Sequence, residues 1–180
     1  MVISSTIFKV ALSVADMDRH YYNDHNLTLA RHPSETDERL MVRLLAFALN
    51  ASDALAFTKG ISTDDEPDLW EKNLTNEVEH WIELGQPDEK RIRQACGRAK
   101  RVSVYCYSGH GAEIWWSQLQ SKLDRFGNLS VINLSKDECA PLADLVNRNM
   151  QLSATIQDQQ LIVSGNDQMF EITPTVWKTV

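Results

Sequence analysis

The sequence predicts an α/β fold with α+β features, and three observations carry that prediction. Residues Ser4 to Ala30 alternate apolar and polar as a hairpin does; helical and strand periods alternate through the middle of the chain; and the C-terminal third breaks into short alternating runs separated by turn residues.

In the first segment, Phe8, Val10, Leu12 and Val14 oppose Ile7, Lys9, Ala11 and Ser13, so Ser4 to Val14 reads as a strand with one buried face. A turn at Ala15 to Arg19 leads into a second alternating run, Tyr21 to Ala30, and the two make a hairpin. Ser34 is placed to cap a helix, with Asp37 three residues later in the manner of a capping box. That helix runs to about Asn50 with Met41, Val42, Leu45 and Leu49 on its apolar stripe. Counting back along the stripe puts Glu38 at the head of the buried face and turns Glu35 outward, where it can pair with Arg39.

Ala54 to Thr58 reads as a short strand, and Lys59-Gly60 opens an acidic loop that runs from Ser62 to Asp68. Strands follow on either side of a turn at Lys72 to Asn76; the second, Glu77 to Leu84, is stopped by Gly85 and Pro87. Helices are expected at Asp88 to Lys100, Ala112 to Arg125 and Ser135 to Arg148, the last capped by Ser135 with Glu138 at its third position. Buried-type strands are expected at Val102 to Tyr107 and Leu129 to Leu134. Three further strands, Leu152 to Gln157, Leu161 to Val163 and Met169 to Ile172, close the chain.

A length of 180 residues, without repeats or a Pro/Gly/Ser linker, suggests one domain spanning 1–180. Apolar residues make up 43% and charged residues 24%, the balance of a globular protein with a real core. The most apolar stretch, Leu40 to Ala51, is broken by Arg43 and falls short of the roughly 20 residues that cross a bilayer. The first residues carry no signal-peptide pattern, so a cytoplasmic location is expected and no membrane partner. Cys96, Cys106 and Cys139 have no C-x-x-C spacing and read as buried thiols; the five histidines form no zinc motif. A formal charge of −7 disfavours broad binding of polyanions.

The central order, a helix with Glu38, a strand, Pro67-Asp68 leading the next strand, Glu83 ending a third, a basic helix and a strand, resembles the core of the PD-(D/E)XK nuclease superfamily. Over nearly its whole length the chain also resembles the bacterial YaeQ family. That likeness rests on the blocks Ala15-Asp16-Met17-Asp18-Arg19-His20-Tyr21-Tyr22, Arg31-His32-Pro33-Ser34-Glu35-Thr36-Asp37-Glu38-Arg39, Ser62-Thr63-Asp64-Asp65-Glu66-Pro67-Asp68-Leu69-Trp70 and Trp81-Ile82-Glu83-Leu84-Gly85-Gln86-Pro87-Asp88-Glu89-Lys90. The resemblance implies a nuclease-like core at about 34–134, with a mixed central sheet flanked by helices, the N-terminal hairpin and the C-terminal strands being additions.

Phosphodiester hydrolysis needs a hard divalent cation, Mg²⁺ or Mn²⁺, held by carboxylates that leave positions open for water and phosphate. Asp68 and Glu83 would lie on adjacent strands of a hairpin and Glu38 would approach from the helix above, so Asp68, Glu83 and Glu38 are the expected metal ligands. By the resemblance, a carbonyl near Leu84 would be a further ligand, and a lysine two residues after the second acid would position the attacking water. That position is Gly85, and Gln86 or Lys90 would have to substitute for the lysine. The expected function is therefore a metal-dependent phosphodiesterase of nuclease type with low or lost activity. The alternative is a non-catalytic binding or regulatory protein on the same fold.

Six of the 18 basic residues fall between Lys90 and Arg101. On a continuous helix, Lys90, Arg91, Arg98 and Arg101 share one side, a candidate contact for a phosphate backbone against the unfavourable net charge. The tryptophans, Trp70, Trp81, Trp115, Trp116 and Trp177, read as packing groups.

Overall fold

The computed structural model describes residues 4–58 and 65–180. Most of the expected acidic loop, Lys59 to Asp64, lies outside the described residues. In chain order the elements are β1 (Thr6–Asp16), β2 (Tyr21–Arg31), α1 (Asp37–Leu49), β3 (Leu55–Phe57), β4 (Leu69–Lys72), β5 (Val78–Leu84), α2 (Glu89–Arg98), β6 (Ala99–Cys106), α3 (His110–Leu123) and β7 (Leu129–Asn133). They are followed by α4 (Lys136–Cys139), a 3₁₀ segment (Ala140–Leu145), β8 (Asn149–Gln157), β9 (Gln160–Gly165), β10 (Gln168–Ile172) and β11 (Thr175–Lys178). The fold is mixed α+β, and none of the described helices is long and apolar enough to cross a membrane.

The strands form two sheets. The first has the order β10-β9-β8-β1-β2, and the second β11-β7-β6-β5-β4-β3. In the first, β1 and β2 are the expected hairpin, in unbroken antiparallel register from Thr6 opposite Arg31 to Asp16 opposite Tyr21. β8 returns from far along the chain to lie parallel to β1, Lys9 facing Asn149. In the second, β3, β4 and β5 are an antiparallel meander, and β6 and β7 continue parallel to β5.

Helix α1 is enclosed by the two sheets. Every residue from Leu40 to Ala48 is buried, in one cluster with Phe8, Val10 and Leu12 of β1, Met150 and Leu152 of β8 and Ile82 and Leu84 of β5. A helix with no exposed side needs apolar residues all round, which the run LMVRLLAFA supplies except at Arg43. A second cluster covers the opposite face of the second sheet: Ile92 and Ala95 of α2 and Ala112 and Trp115 of α3 pack on Trp81, Val102, Val104 and Val131. Trp81 and Trp115 are buried, and Trp116 stacks on Trp177 of β11 at 5.7 Å, so these tryptophans serve the packing. Cys106 and Cys139 are buried and Cys96 half-buried, all as free thiols. Burial pushes Cys106 and Cys139 up to about 12 and Cys96 to about 11.

Four local expectations need correction. The cap of α1 is Thr36, whose hydroxyl accepts from the Arg39 amide, while Ser34 bonds the ring of His32. The expected helix from Asp88 to Lys100 begins a residue later and stops at Arg98, where Ala99 is already extended and opens β6. The alternation of Val102, Val104 and Cys106 sets the strand period, which reaches back to Ala99. The expected helix from Ser135 to Arg148 breaks into α4 and a 3₁₀ segment, since Pro141 cannot supply the amide a continuous helix requires. β8 therefore starts at Asn149, three residues before the expected Leu152. Finally β11, absent from the sequence reading, edges the second sheet by pairing with β7.

Candidate functional site

Three parallel strands, β5, β6 and β7, end in the same direction, and their carboxyl ends are where an open sheet leaves a crevice. The first turn of α1, residue Asp68 just before β4, and Tyr107 just beyond β6 meet beside the end of β5. Asp68 enters because its amide donates to the Ile82 carbonyl at 3.0 Å, extending the β4–β5 ladder by one residue. Its carboxylate is buried and fully engaged: Oδ1 accepts from Arg39 Nη2 at 2.7 Å and Oδ2 from the Leu84 amide at 2.9 Å.

Arg39 is one link in a chain of charges. Its Nη1 bonds Glu35 Oε2 at 2.7 Å; Glu35 Oε1 then takes Arg43 Nη2, also at 2.7 Å, and the same nitrogen reaches the Ala30 carbonyl at 3.0 Å. The Glu35 side chain is 2% exposed and that of Arg43 1%. This corrects the outward placement expected for Glu35. Glu35 precedes the Thr36 cap, so helical spacing does not govern its direction, and the chain there turns it inward to satisfy the buried guanidinium. Burial works against the charge of Arg39, yet Asp68 and Glu35 outweigh it and hold the guanidinium above its ordinary range.

Glu83 points away from the side on which Ile82 and Leu84 pack against α1, as strand alternation requires. Its Oε1 accepts from the Trp81 indole at 2.9 Å and from Arg91 Nε at 2.8 Å. Burial pushes the Glu83 carboxyl upward, Arg91 opposes that shift, and nearby Asp68 adds to it.

Glu38, half-buried in the first turn of α1, carries an orphan: its Oε1 is buried without a hydrogen-bond partner. The phenol of Tyr107 is pushed up mainly by burial; Arg39 opposes this, and Asp68, Glu38 and Glu35 add to it. These groups therefore share one neighbourhood. Tyr107 is the member that sequence reading missed as a site residue, and its only signal was its position as the last residue of the expected strand Val102 to Tyr107, which in the structure ends at Cys106.

The expected metal triad is not assembled. Among the described residues no three His, Cys, Asp or Glu side chains gather as a cation site requires. Asp68 is held by Arg39 of α1 and Glu83 by Arg91 of α2, so as arranged each carboxylate is engaged by a guanidinium where a hard divalent cation would need it free. Gly85 has φ +98° and its amide donates to the Tyr105 carbonyl at 2.8 Å. A lysine there would be strained by the backbone, a physical reason for glycine at the position where the nuclease pattern has lysine. Gln86 is exposed, and its amide nitrogen lies 3.3 Å from where a Cβ on Gly111 would stand, against the first turn of α3. Lys90 is exposed on α2.

The basic patch is also redistributed. Arg101 is on β6 rather than on a helix, opposite His80. Arg91 reaches the Glu66 carbonyl at 2.7 Å and Arg98 the Asp65 carbonyl at 3.2 Å, so two of the four expected phosphate contacts hold the end of the acidic loop. His80, buried beside Ser103 at 2.7 Å, is driven down to about 4 by burial first and by Arg101 second.

Comparison with known proteins places the chain. The model of the family described as YaeQ protein matches residues 1–174. The chain is 45% identical over 178 residues to the Escherichia coli K12 protein described as uncharacterised protein YaeQ, covering 99% of this chain and 98% of that one. The counterpart from Salmonella typhi is 46% identical over the same length. Among solved structures, the YaeQ protein of Xanthomonas axonopodis pv. citri superposes with a TM-score of 0.96 at 45% identity, covering 98% of this chain and all of that one. The YaeQ protein of Pseudomonas syringae superposes with a TM-score of 0.93 at 34% identity, covering 98% and 97%. The chain belongs to the YaeQ family.

Proposed function

We propose that this YaeQ-family chain is a non-catalytic binding or regulatory module on a nuclease-like core, in which arginines have taken the place of the cation. The observation that carries the reading is the pairing of Asp68 with Arg39 and of Glu83 with Arg91. A half-buried guanidinium satisfies a carboxylate through directed hydrogen bonds and offers no exchangeable position for water or a phosphate oxygen. The element order α1-β3-β4-β5-α2-β6 supports the nuclease-like core, and the glycine at 85 agrees with lost catalysis. Lys90 and Arg101 are exposed, and nucleic acid is the partner class they favour through a narrower contact than the sequence suggested.

A metal-dependent phosphodiesterase is the second reading, and the orphan Oε1 of Glu38 favours it, since a buried carboxylate oxygen without a donor invites a cation or a proton. Under this reading Glu38, Asp68 and Glu83 would bind Mg²⁺ or Mn²⁺, with Gln86 or Lys90 beside the phosphate.

Calorimetric titration with Mn²⁺ of the wild type and of the double variant Asp68→Ala, Glu83→Ala separates the two. The first reading expects no saturable heat from either protein and no cleavage of single- or double-stranded DNA or RNA. Saturable Mn²⁺ binding confined to the wild type, accompanied by cleavage, would overturn it in favour of the second.

A further inference from the structure

The first sheet buries one face against α1 and leaves the other uncovered among the described residues. The registers lay that open face out row by row. Thr28, Lys9 and Asn149 share a row; Asn26, Ala11 and Gln151 share the next; Asp24, Ser13, Ser153, Ser164 and Met169 the third; Tyr22, Ala15, Thr155, Ile162 and Glu171 the fourth. Of the sixteen residues in these four rows three are charged, Lys9, Asp24 and Glu171, slightly below the 24% of the whole chain. The rest are small or uncharged polar groups with a few apolar ones, so no strong field of one sign covers the face. One cation on such an area offers a polyanion almost nothing.

We propose that this face is the contact between two copies of the chain, packed sheet on sheet across a two-fold axis. Two features select a second copy as the occupant. The first is self-complementary charge. Lys9 and Ser13 lie four residues apart on β1 with Ala11 midway, and the Ser13 hydroxyl donates to Asp24 Oδ1 at 2.7 Å, holding the carboxylate beside β1. A two-fold axis crossing the strands at Ala11 sets Lys9 of each copy over Ser13 and Asp24 of the other, an isologous pair of ion contacts. The small side chain of Ala11 at the axis, flanked by the uncharged Asn26 and Gln151, is compatible with the ordinary sheet-to-sheet spacing of about 10 Å.

The second feature is area. Five strands spaced by about 4.8 Å, and up to eleven residues long at about 3.3 Å each, present roughly 600 Å². That approaches the roughly 800 Å² per partner of a stable interface. The face also contains a shallow trough of about 530 Å³ lined by Ala11, Ser13, Gln151, Ser153, Ser164 and Met169.

Sedimentation velocity over a concentration series tests the proposal. The wild type should pass from monomer to dimer within the micromolar range. Lys9→Glu and Asp24→Lys should each weaken dimerisation by about ten-fold through two like-charge contacts, and the combined swap should restore it. Ala11→Arg, on an exposed strand position that folding does not need, should leave a folded monomer by circular dichroism. A wild type that stays monomeric at concentrations on the order of hundreds of micromolar overturns the proposal, and so does a dimer indifferent to all of these substitutions.

Discussion

The two sheets of this molecule treat charge in opposite ways. The first sheet keeps one face wet, and the charged side chains on that face, Lys9, Asp24 and Glu171, sit exposed; its buried acid, Asp16 at the end of β1, is answered by Arg19. The second is covered on both faces, by α1 on one side and by α2 and α3 on the other, so its strand β5 is buried continuously from His80 to Leu84. Even so, the second sheet carries the ion pairs Asp68–Arg39 and Glu83–Arg91, and the segment entering its covering helix adds Glu35–Arg43. A carboxylate on the open sheet costs little to place. One under a helix must be answered by a donor at hydrogen-bond distance, so the buried acids Asp68, Glu83 and Glu35 each meet an arginine.

The sharpest way to break this contrast is to remove one member of the covered network. Glu35→Ala leaves Arg43 buried with only the Ala30 carbonyl, and should destabilise the fold by about 4 kcal/mol in chemical denaturation. Glu171→Ala on the open face should change stability by less than about 0.5 kcal/mol. Replacing both partners, Glu35→Leu with Arg43→Met, should recover a good part of the loss, because it is the uncompensated charge rather than the missing pair that destabilises. Equal effects of Glu35→Ala and Glu171→Ala would end the distinction between the sheets.

A smaller effect comes from His80 on the covered face. Its folded value of about 4 lies below its ordinary 6.5, so the unfolded chain takes up the proton first as pH falls. The stability held by the neutral imidazole is therefore complete above about pH 6.5 and is lost on the way down to pH 4, by about 2 kcal/mol between pH 7 and pH 5. Denaturation midpoints at these two pH values should show the drop in the wild type and a shallower one in His80→Gln.

The smallest expected effect concerns the entry to the enclosed helix. Thr36→Ala removes the cap of α1 and should cost about 1 kcal/mol, whereas Ser34→Ala, outside the helix, should cost much less. Thermal unfolding of the two variants side by side checks the assignment.

How legible the fold was in the sequence follows the same division. The hairpin of β1 and β2 was readable end to end because a sheet with one wet face writes its period into the residues. The meander of the second sheet was readable from its turns and from Gly85. The end of α2 was not, since Arg98 to Arg101 satisfies a helical pattern as well as a strand, and only pairing of β6 with β5 settles it. β11 escaped because a short edge strand is made by its neighbour β7, far away in the chain. The break after Cys139 had a visible signal in Pro141.

The candidate site was half legible. Glu38, Asp68 and Glu83 were found as acids at element ends, and all three do stand near the end of β5. What surrounds them was not legible: Arg39 meets Asp68 across 29 residues, and Arg91 meets Glu83 across eight.

By itself, then, the sequence determined where strands and helices alternate, which faces they bury and which acids stand at their ends, because those follow from local period and local turn chemistry. The tertiary structure alone decided that Asp68 meets Arg39 and Glu83 meets Arg91, and that Glu35 turns inward. Those outcomes depend on register and on the packing of elements distant in the chain, and a side chain's partner is fixed by which donor lies within about 3 Å once the sheets have closed on α1.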